Sequence, residues 1–158
     1  MYSIDTSSFM DWQARHYPLD VFVGLESHIE ALIKSGDFRA VELVSEEIEA
    51  VGTPDLRAWA KHHKSIFVPL TPDVQVEGAS IEAKYPDLLD PKLRYQSADA
   101  YVIALAKLNK NGIVVSQETS VNEKHKPKRN YYIPDVCRDL GVHCINLLGL
   151  MRKEKWKL

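Results

Sequence analysis

Short apolar runs alternate with longer amphipathic segments along the first half of this chain. The run from Met1 to Asp5 predicts a buried strand, and Thr6-Ser7-Ser8 offers hydroxyl caps for a helix after it. Apolar residues then recur at helical spacing from Val21 to Ile33, and Gly36 supplies a helix stop. Alternation of apolar and polar residues from Phe38 to Val44 predicts a second strand. The pattern therefore favours strands separated by helices.

The same alternation continues to the end of the chain. The predicted elements are a helix from Ser45 to Gly52, a helix through Leu56 and Ala60, a helix from Val74 to Tyr85, an apolar helix from Ala100 to Leu108, a strand from Ile113 to Ser116, a helix from Pro134 to Leu140 and a strand from His143 to Ile145. Strands that alternate with helices imply a parallel sheet. The sequence therefore predicts an α/β fold.

Length and composition predict one domain spanning residues 1–158, because 158 residues of which 45% are hydrophobic can bury one ordinary core. No apolar run approaches the ~20 residues that a bilayer-spanning helix needs, so the sequence argues against a membrane span. Cys137 and Cys144 stand among apolar residues and are expected to pack in the core. The first residues do not read as a signal sequence, so a cytoplasmic protein is predicted.

Four separated acidic positions stand where such a fold places functional side chains: Asp5, Glu46/Glu47, Asp99 and Glu118. Asp5 ends the first strand, and Glu118 follows the strand that begins at Ile113, so both lie just past the carboxyl ends of buried strands. In an open α/β sheet, that edge is where ligands bind. Hard divalent cations prefer oxygen ligands, so the spacing suggests a metal cluster.

Each acidic residue taken alone has a simpler interpretation. Asp5 and Asp99 could each cap a helix, and Glu46 or Glu47 could offset a helix dipole. Four acidic residues that each have a separate structural role are less expected at one sheet edge than four that form a single metal-binding cluster. Like charges that converge without a cation raise carboxyl pKa values and destabilise a fold, so a real cluster would itself indicate a bound cation. Asp135 differs, because it follows a proline and is expected in the first turn of a helix.

Local motifs in the chain match those of a known family in type and order. They are Tyr2-Ser3-Ile4-Asp5-Thr6-Ser7-Ser8-Phe9, Val44-Ser45-Glu46-Glu47-Ile48, Ala98-Asp99-Ala100-Tyr101-Val102-Ile103-Ala104, Val114-Val115-Ser116-Gln117-Glu118, Tyr132-Ile133-Pro134-Asp135-Val136-Cys137 and Cys144-Ile145-Asn146-Leu147. With them the chain resembles the PIN-domain nucleases, and more closely a PIN-like branch related to the toxins of bacterial and archaeal toxin–antitoxin pairs. The resemblance implies a three-layer α/β/α sandwich whose acidic residues bind Mg²⁺ or Mn²⁺ and hydrolyse a phosphodiester, usually in RNA.

The resemblance also implies a role for individual residues. Asp5 matches the first metal-binding aspartate of the family, and Asp99 matches the aspartate that opens its later helix. Glu47 matches the intervening acid better than Glu46 does, although the sequence leaves the register between these neighbours open. Glu118 matches the fourth acid, where many relatives carry aspartate. The residues expected to support these catalytic and metal-binding acids are Thr6, Ser7, Ser116 and Glu46.

A basic segment follows Glu118 and contains Lys124, Lys126, Lys128 and Arg129. The formal net charge of the whole chain is -2, which argues against general affinity for nucleic acid. A local basic patch beside an acidic site can still hold a phosphate backbone, so these four residues are the predicted substrate-binding group. A solvated surface loop is the alternative interpretation.

The resulting hypothesis is a divalent-metal-dependent endoribonuclease that acts as the toxin of a toxin–antitoxin pair. An antitoxin protein that blocks the site, and a homodimer, are expected from the resemblance alone. The same carboxylates would also suit cleavage of structured or single-stranded DNA, because a metal-water mechanism does not require a 2′-hydroxyl. A further alternative is a catalytically weak PIN-like module that binds RNA or a protein partner, suggested by Glu118 in place of the common aspartate.

Overall fold

A five-stranded sheet forms the centre of the computed structural model, which describes residues 1–18, 20–90, 92–93 and 95–157. The strands are β1 (Tyr2–Ile4), β2 (Phe38–Val41), β3 (Phe67–Val68), β4 (Ile113–Val115) and β5 (His143–Ile145). Their order across the sheet is β3-β2-β1-β4-β5, and each neighbouring pair is parallel. This arrangement confirms the predicted α/β fold with a mainly parallel sheet.

Helices connect the strands and complete a three-layer α/β/α sandwich. They are α1 (Thr6–Met10), α2 (Val23–Ser35), α3 (Glu42–Val51), α4 (Pro54–His62), α5 (Pro72–Lys84), α6 (Asp99–Leu108), α7 (Ile133–Leu140) and α8 (Leu147–Lys153). α1 runs directly into a π-helical segment, Asp11–His16, and short 3-10 turns are found at Lys64–Ile66, Pro86–Leu88 and Val121–Glu123. Gly36 ends α2, as the sequence predicted, and its φ of 79° lies in the left-handed region that favours glycine.

The direction of the strand order reverses at β1. The chain passes from β1 outward through β2 to β3, and then returns to place β4 on the other side of β1. Such a reversal leaves a crevice at the carboxyl ends of the two strands that flank it, where α/β proteins bind ligands. Asp5 follows β1 and Ser116 follows β4, so the topology brings these two residues to the crevice.

α6 is buried along most of its length, with an unbroken run of buried residues from Ala100 to Ala106. It packs against β1, β2 and β4. A helix that is apolar on nearly every side belongs in a protein interior, because water would surround its side chains anywhere else. Asp99 is the first residue of this helix, so the packing of α6 also fixes the position of the Asp99 backbone.

Gly78 lets α5 approach α6 closely. A Cβ atom added at Gly78 would lie 2.4 Å from Cδ1 of the Tyr101 ring. We expect Gly78→Ala to lower the free energy of unfolding by about 1–3 kcal/mol, because overpacking outweighs the roughly 1 kcal/mol gained in helix propensity. Urea unfolding measures the change, with Ser80→Ala on the exposed face of α5 as the matched control. Unchanged or greater stability of Gly78→Ala would show that the two helices separate without cost.

Two parts of the sequence prediction differ from the structure. The second strand ends at Val41 and not at Val44, because Leu43 and Val44 are buried residues of α3. A pair of buried apolar residues suits a strand or a helix equally well, so the pattern alone placed the boundary wrongly. β3 and α8 were not predicted; β3 has only two residues, too few to show a period.

Composition gave two further expectations. In the described ranges, no helix is long and apolar enough to cross a membrane. Cys137 is buried as expected, whereas Cys144 on β5 is half-buried.

Candidate functional site

Asp5 lies directly after β1, where the sheet holds its backbone. Its N–H donates to the Val115 carbonyl oxygen at 2.9 Å. Asp5 is 3% exposed, and its Oδ2 accepts hydrogen bonds from Ser7 Oγ and, at 2.9 Å, from Ser116 Oγ. Asp5 occupies the N-cap position of α1, but its side chain makes no capping hydrogen bond to the described backbone of that helix. Helix capping therefore does not explain this carboxylate.

α3 presents Glu47 to the protein interior and Glu46 to solvent. Glu47 is 5% exposed; its Oε2 accepts a hydrogen bond from the Thr6 hydroxyl, and its Oε1 accepts one from the Ala98 N–H at 2.8 Å. Thr6 begins α1 and Ala98 precedes α6, so the two bonds tie Glu47 to the starts of both helices. Glu46, the alternative in the sequence, lies outside this arrangement.

Asp99 faces the same region from the start of α6. It is the first residue of the helix, and Ala98 occupies the cap position. The Asp99 N–H donates to Ser97 Oγ at 3.3 Å. Its side chain is 15% exposed, and Oδ2 lies 3.4 Å from Nη1 of Arg129. The Asp99 carboxylate is thus directed toward the Arg129 guanidinium on the other side of the site.

Glu118 approaches the site from the segment after β4. Its N–H donates to Ser116 Oγ at 3.1 Å, so Ser116 joins the Glu118 backbone to the Asp5 carboxylate. Glu118 Oε1 accepts from Arg129 Nη2 at 2.9 Å, and Oε2 accepts from the Ile133 N–H at 3.0 Å, at the start of α7. Both carboxylate oxygens of Glu118 are therefore engaged.

The hydroxyl residues named from the sequence all lie at this site. Ser7 Oγ accepts from the Gln117 N–H at 2.9 Å and lies 3.4 Å from Ser116 Oγ. Ser7 and Ser116 both donate to Asp5, and Thr6 donates to Glu47. Hydrogen bonds of this kind orient carboxylates whose free oxygens bind a ligand.

The four carboxylates form one electrostatic unit. Burial, together with the charges of Glu118 and Glu47, raises the pKa of Asp5 to about 7, although the hydrogen bonds from Ser7 and Ser116 lower it. Burial also raises the pKa of Asp99 well above its usual value, with the other three carboxylates contributing. The pKa of Glu47 is raised as well, again chiefly by burial. Acidic groups that perturb one another in this way are typical of functional sites.

The predicted substrate-binding residues separate into two groups. Arg129 contacts the carboxylates, its side chain is 20% exposed, and its guanidinium carbon lies 4.6 Å from the centre of the Tyr132 ring. Lys124 is half-buried, with Nζ 4.2 Å from the centre of the same ring. Lys126 and Lys128 are exposed. The lysines thus remain available to a partner, whereas Arg129 is engaged within the site.

The donor chemistry of the site suits a hard divalent cation such as Mg²⁺ or Mn²⁺, because its acidic side chains supply only oxygen. In the part of the chain that the structure describes, no three His, Cys, Asp or Glu side chains form a ready metal-binding group. Arg129 supplies positive charge to two of the acids instead. The residues that would hold a cation are Asp5, Glu47, Asp99 and Glu118.

Several contributors to the site were not identified from the sequence. At the starts of α6 and α7, the N–H groups of Ala98 and Ile133 donate to carboxylates. N–H groups at a helix start have no partner within the helix and therefore favour anions. Ser97 supports the Asp99 backbone. The pKa of Tyr95 is raised by burial and by the charges of the nearby acids. A backbone donor leaves no mark in the sequence beyond the predicted helix start.

Asp135 has a structural role, as its position after a proline suggested. It is buried in the first turn of α7. Its Oδ2 accepts hydrogen bonds from the Tyr132 N–H at 3.1 Å and from the Val121 N–H at 2.9 Å. These bonds fix the segment that leads from the basic residues into α7.

Cleft size alone does not identify the site. The cleft of about 590 Å³ lies at the amino ends of the strands, where Met1, Gly112 and His143 line it. A second cleft, of about 500 Å³, is lined by Met1, Val68 and Leu105 and by none of the four carboxylates. A smaller cleft of about 250 Å³ is lined by Lys128, Arg129 and Asn130, beside the acidic residues. The candidate site is therefore assigned from the acidic residues at the carboxyl edge of the sheet and not from cleft volume.

Comparison with known proteins adds a family but no activity. No curated protein matches the chain. The family model described as a domain of unknown function, DUF4411, matches residues 2–158, a range that contains all the strands described above and all four carboxylates. The chain therefore belongs to the DUF4411 family.

Proposed function

We propose that this protein is a divalent-metal-dependent endoribonuclease, which hydrolyses phosphodiester bonds in RNA. The observation that carries the proposal is the convergence of Asp5, Glu47, Asp99 and Glu118 beside the carboxyl ends of β1 and β4. Buried like charges destabilise a fold, and in the described structure Arg129 is paired with Asp99 and Glu118 but not with Asp5 or Glu47, so the convergence of all four is explained best by a further, cationic ligand. The resemblance of the surrounding motifs to the PIN-domain nucleases supports the same function.

The residues of the site have distinct parts in this chemistry. When bound, Mg²⁺ or Mn²⁺ would lower the pKa of a water molecule and offset negative charge on the scissile phosphate. Asp5 and Asp99 are the strongest candidates to hold the cation, because each is fixed at the end of a buried element. Ser116 orients Asp5, and Thr6 orients Glu47. Charges that are held in place before the reaction need no reorganisation during it.

RNA is the proposed substrate class. Lys124, Lys126 and Lys128 follow Glu118 in sequence, and the two later lysines are exposed where a phosphate backbone can reach them. Phosphate contacts position a nucleic acid without distinguishing RNA from DNA. The preference for RNA therefore rests on the resemblance to the PIN-domain nucleases.

The proposed biological role is that of a cytoplasmic toxin in a toxin–antitoxin pair. An antitoxin protein would block the carboxylates, and a homodimer is proposed on the same grounds. Both partners rest on the resemblance.

A catalytically weak PIN-like module that binds RNA or a protein is the second candidate function. It is favoured by the ion pair of 2.9 Å that engages Glu118 with Arg129.

Incubation with a mixed panel of RNA, single-stranded DNA and structured DNA tests the proposal. With Mn²⁺ or Mg²⁺ the protein is expected to cut RNA, and with EDTA it is expected to cut nothing. Cleavage of DNA alone would instead assign a DNA nuclease, which the same carboxylates would serve. Binding of RNA without cleavage by the metal-loaded protein would favour the binding module.

Neighbouring glutamates in α3 offer a matched pair of variants. We expect Glu47→Gln to slow RNA cleavage by about 10–100-fold, because it removes a buried charge of the site. Glu46→Gln is expected to leave the rate unchanged, since Glu46 is exposed and lies outside the site. Initial rates at saturating Mn²⁺ measure both effects. Equal losses in the two variants would contradict the role given to Glu47, because both remove one negative charge from the same helix.

A further inference from the structure

Arg129 neutralises part of the carboxylate site from within the chain. Its Nη2 donates to Glu118 Oε1 at 2.9 Å, and its Nη1 lies 3.4 Å from Asp99 Oδ2. Nη1 also donates to the Leu88 carbonyl oxygen at 2.5 Å, and the guanidinium lies over the Tyr132 ring. A guanidinium stays charged throughout the physiological pH range and carries five N–H donors. Arg129 is thus both a counter-ion and a hydrogen-bond partner for two of the four acids.

The oxygens that Arg129 engages are among those a divalent cation would use. A cation that approached the carboxylates of Asp99 and Glu118 would lie next to the guanidinium and repel it strongly in a partly buried site. The carboxylate oxygens would also have to exchange their N–H partners for the metal. Arginine and metal therefore compete for the same negative charge.

We propose that docking of Arg129 on Asp99 and Glu118 and binding of a divalent cation exclude each other, so that the cation releases Arg129 to hold a substrate phosphate. This inference rests on the proposed function. Arginine pairs with phosphate in the bidentate manner in which it pairs with carboxylate, so one side chain serves both states. The metal-free protein is then blocked by its own arginine, and the phosphate-binding group becomes complete when the metal is present.

The surroundings of Arg129 permit this exchange. In the described structure, residues 124–132 form no helix or strand, and Lys128 and Asn130 on either side of Arg129 are exposed. The side chain itself is 20% exposed, so it already borders solvent, and its release would break its hydrogen bonds to Glu118 and to the Leu88 carbonyl oxygen. Lys124 shares the Tyr132 ring with Arg129, at 4.2 Å from the ring centre. A phosphate held by the released Arg129 would therefore meet a second positive charge nearby.

Calorimetric titration with Mn²⁺ tests the exclusion without any measurement of activity. Arg129→Met is expected to bind Mn²⁺ about tenfold more tightly than the wild type, because the competing cation is gone. Lys128→Met is the matched control, since it removes the same charge from the same segment but not a described contact with the acids. The control is expected to bind Mn²⁺ as the wild type does.

The outcomes separate this inference from the proposed function. An unchanged affinity in Arg129→Met, or equal tightening in both variants, would overturn the exclusion and leave the metal site standing. A failure of the wild type and both variants to bind Mn²⁺ would overturn both proposals.

A second measurement avoids dependence on the folding of Arg129→Met. In the wild type, NMR resonances of the Arg129 guanidinium are expected to show restricted rotation without metal and free rotation at saturating Mg²⁺. Arg138 is the internal control, because its Nη2 lies 2.9 Å from Asp135 Oδ1 and Asp135 is not one of the proposed metal ligands. The rotation of the Arg138 guanidinium should not change when Mg²⁺ is added. Restricted rotation of Arg129 that persists with Mg²⁺ bound would overturn the inference.

Discussion

Asp5→Asn and Asp99→Asn are each expected to lower the rate of RNA cleavage by about 10³-fold, which corresponds to about 4 kcal/mol of transition-state stabilisation. Asparagine keeps the size of the side chain and one acceptor oxygen but loses the charge that would hold the cation. Both positions are fixed by buried elements, so each variant is expected to keep the backbone of the site in place. Initial rates on a labelled RNA with saturating Mn²⁺ measure the loss.

Asp73→Asn is the matched control for these two variants. Asp73 is exposed in the first turn of α5, outside the carboxylate site, so the substitution is expected to leave the rate unchanged. Circular dichroism establishes that each variant is folded. Cleavage at the wild-type rate by folded Asp5→Asn and Asp99→Asn would contradict the assignment and attribute the activity to a contaminant.

Asp5→Asn is also expected to stabilise the metal-free protein, by about 2 kcal/mol near pH 8. Burial disfavours the charge of Asp5, Glu118 and Glu47 repel it, and no described cation contacts it. The asparagine carbonyl oxygen can still accept the hydrogen bond from Ser116, so the variant removes the buried charge and keeps a hydrogen-bond partner. Urea unfolding in EDTA measures the gain. Asp99→Asn should gain less, because it deprives Arg129 of an acidic partner.

The pH dependence of stability is expected to show the same effect of Asp5. Its pKa is raised from the usual 3.8 to about 7, chiefly by burial. Between these values the folded protein binds more protons than the unfolded chain, so the free energy of unfolding falls as the pH rises from about 4 to about 7. Asp5→Asn should flatten this fall. Lower stability of the variant than of the wild type in EDTA near pH 8, or an unchanged pH slope, would contradict the explanation.

Much of the fold was predictable because burial leaves a periodic pattern. β1 is a short apolar run, and α6 is an apolar stretch of helical length, so each has only one reasonable assignment. Leu43 and Val44 fit the end of a strand as well as the start of a helix, and the helix prevailed because it buries both residues. The two residues of β3 carry no period at all.

The candidate site was predictable where an element end sets the direction of the side chain. The predicted end of β1 and the predicted start of α6 placed Asp5 and Asp99 at the edge of the sheet, where the structure has them. The choice between Glu46 and Glu47 depended on the phase of α3, which was lost when its first turn was read as a strand. The contact of Arg129 with Glu118, eleven residues away, depends on the path of an irregular segment that has no sequence period.

The most direct test of the central claim is anomalous diffraction from crystals saturated with Mn²⁺. We expect an anomalous peak for a Mn²⁺ ion that is bound by the carboxylates of Asp5 and Asp99. Glu47 and Glu118 are expected to face the same ion or its waters. Ordered Mn²⁺ at another place, with these four carboxylates free of metal, would contradict the claim that they form a divalent-metal site.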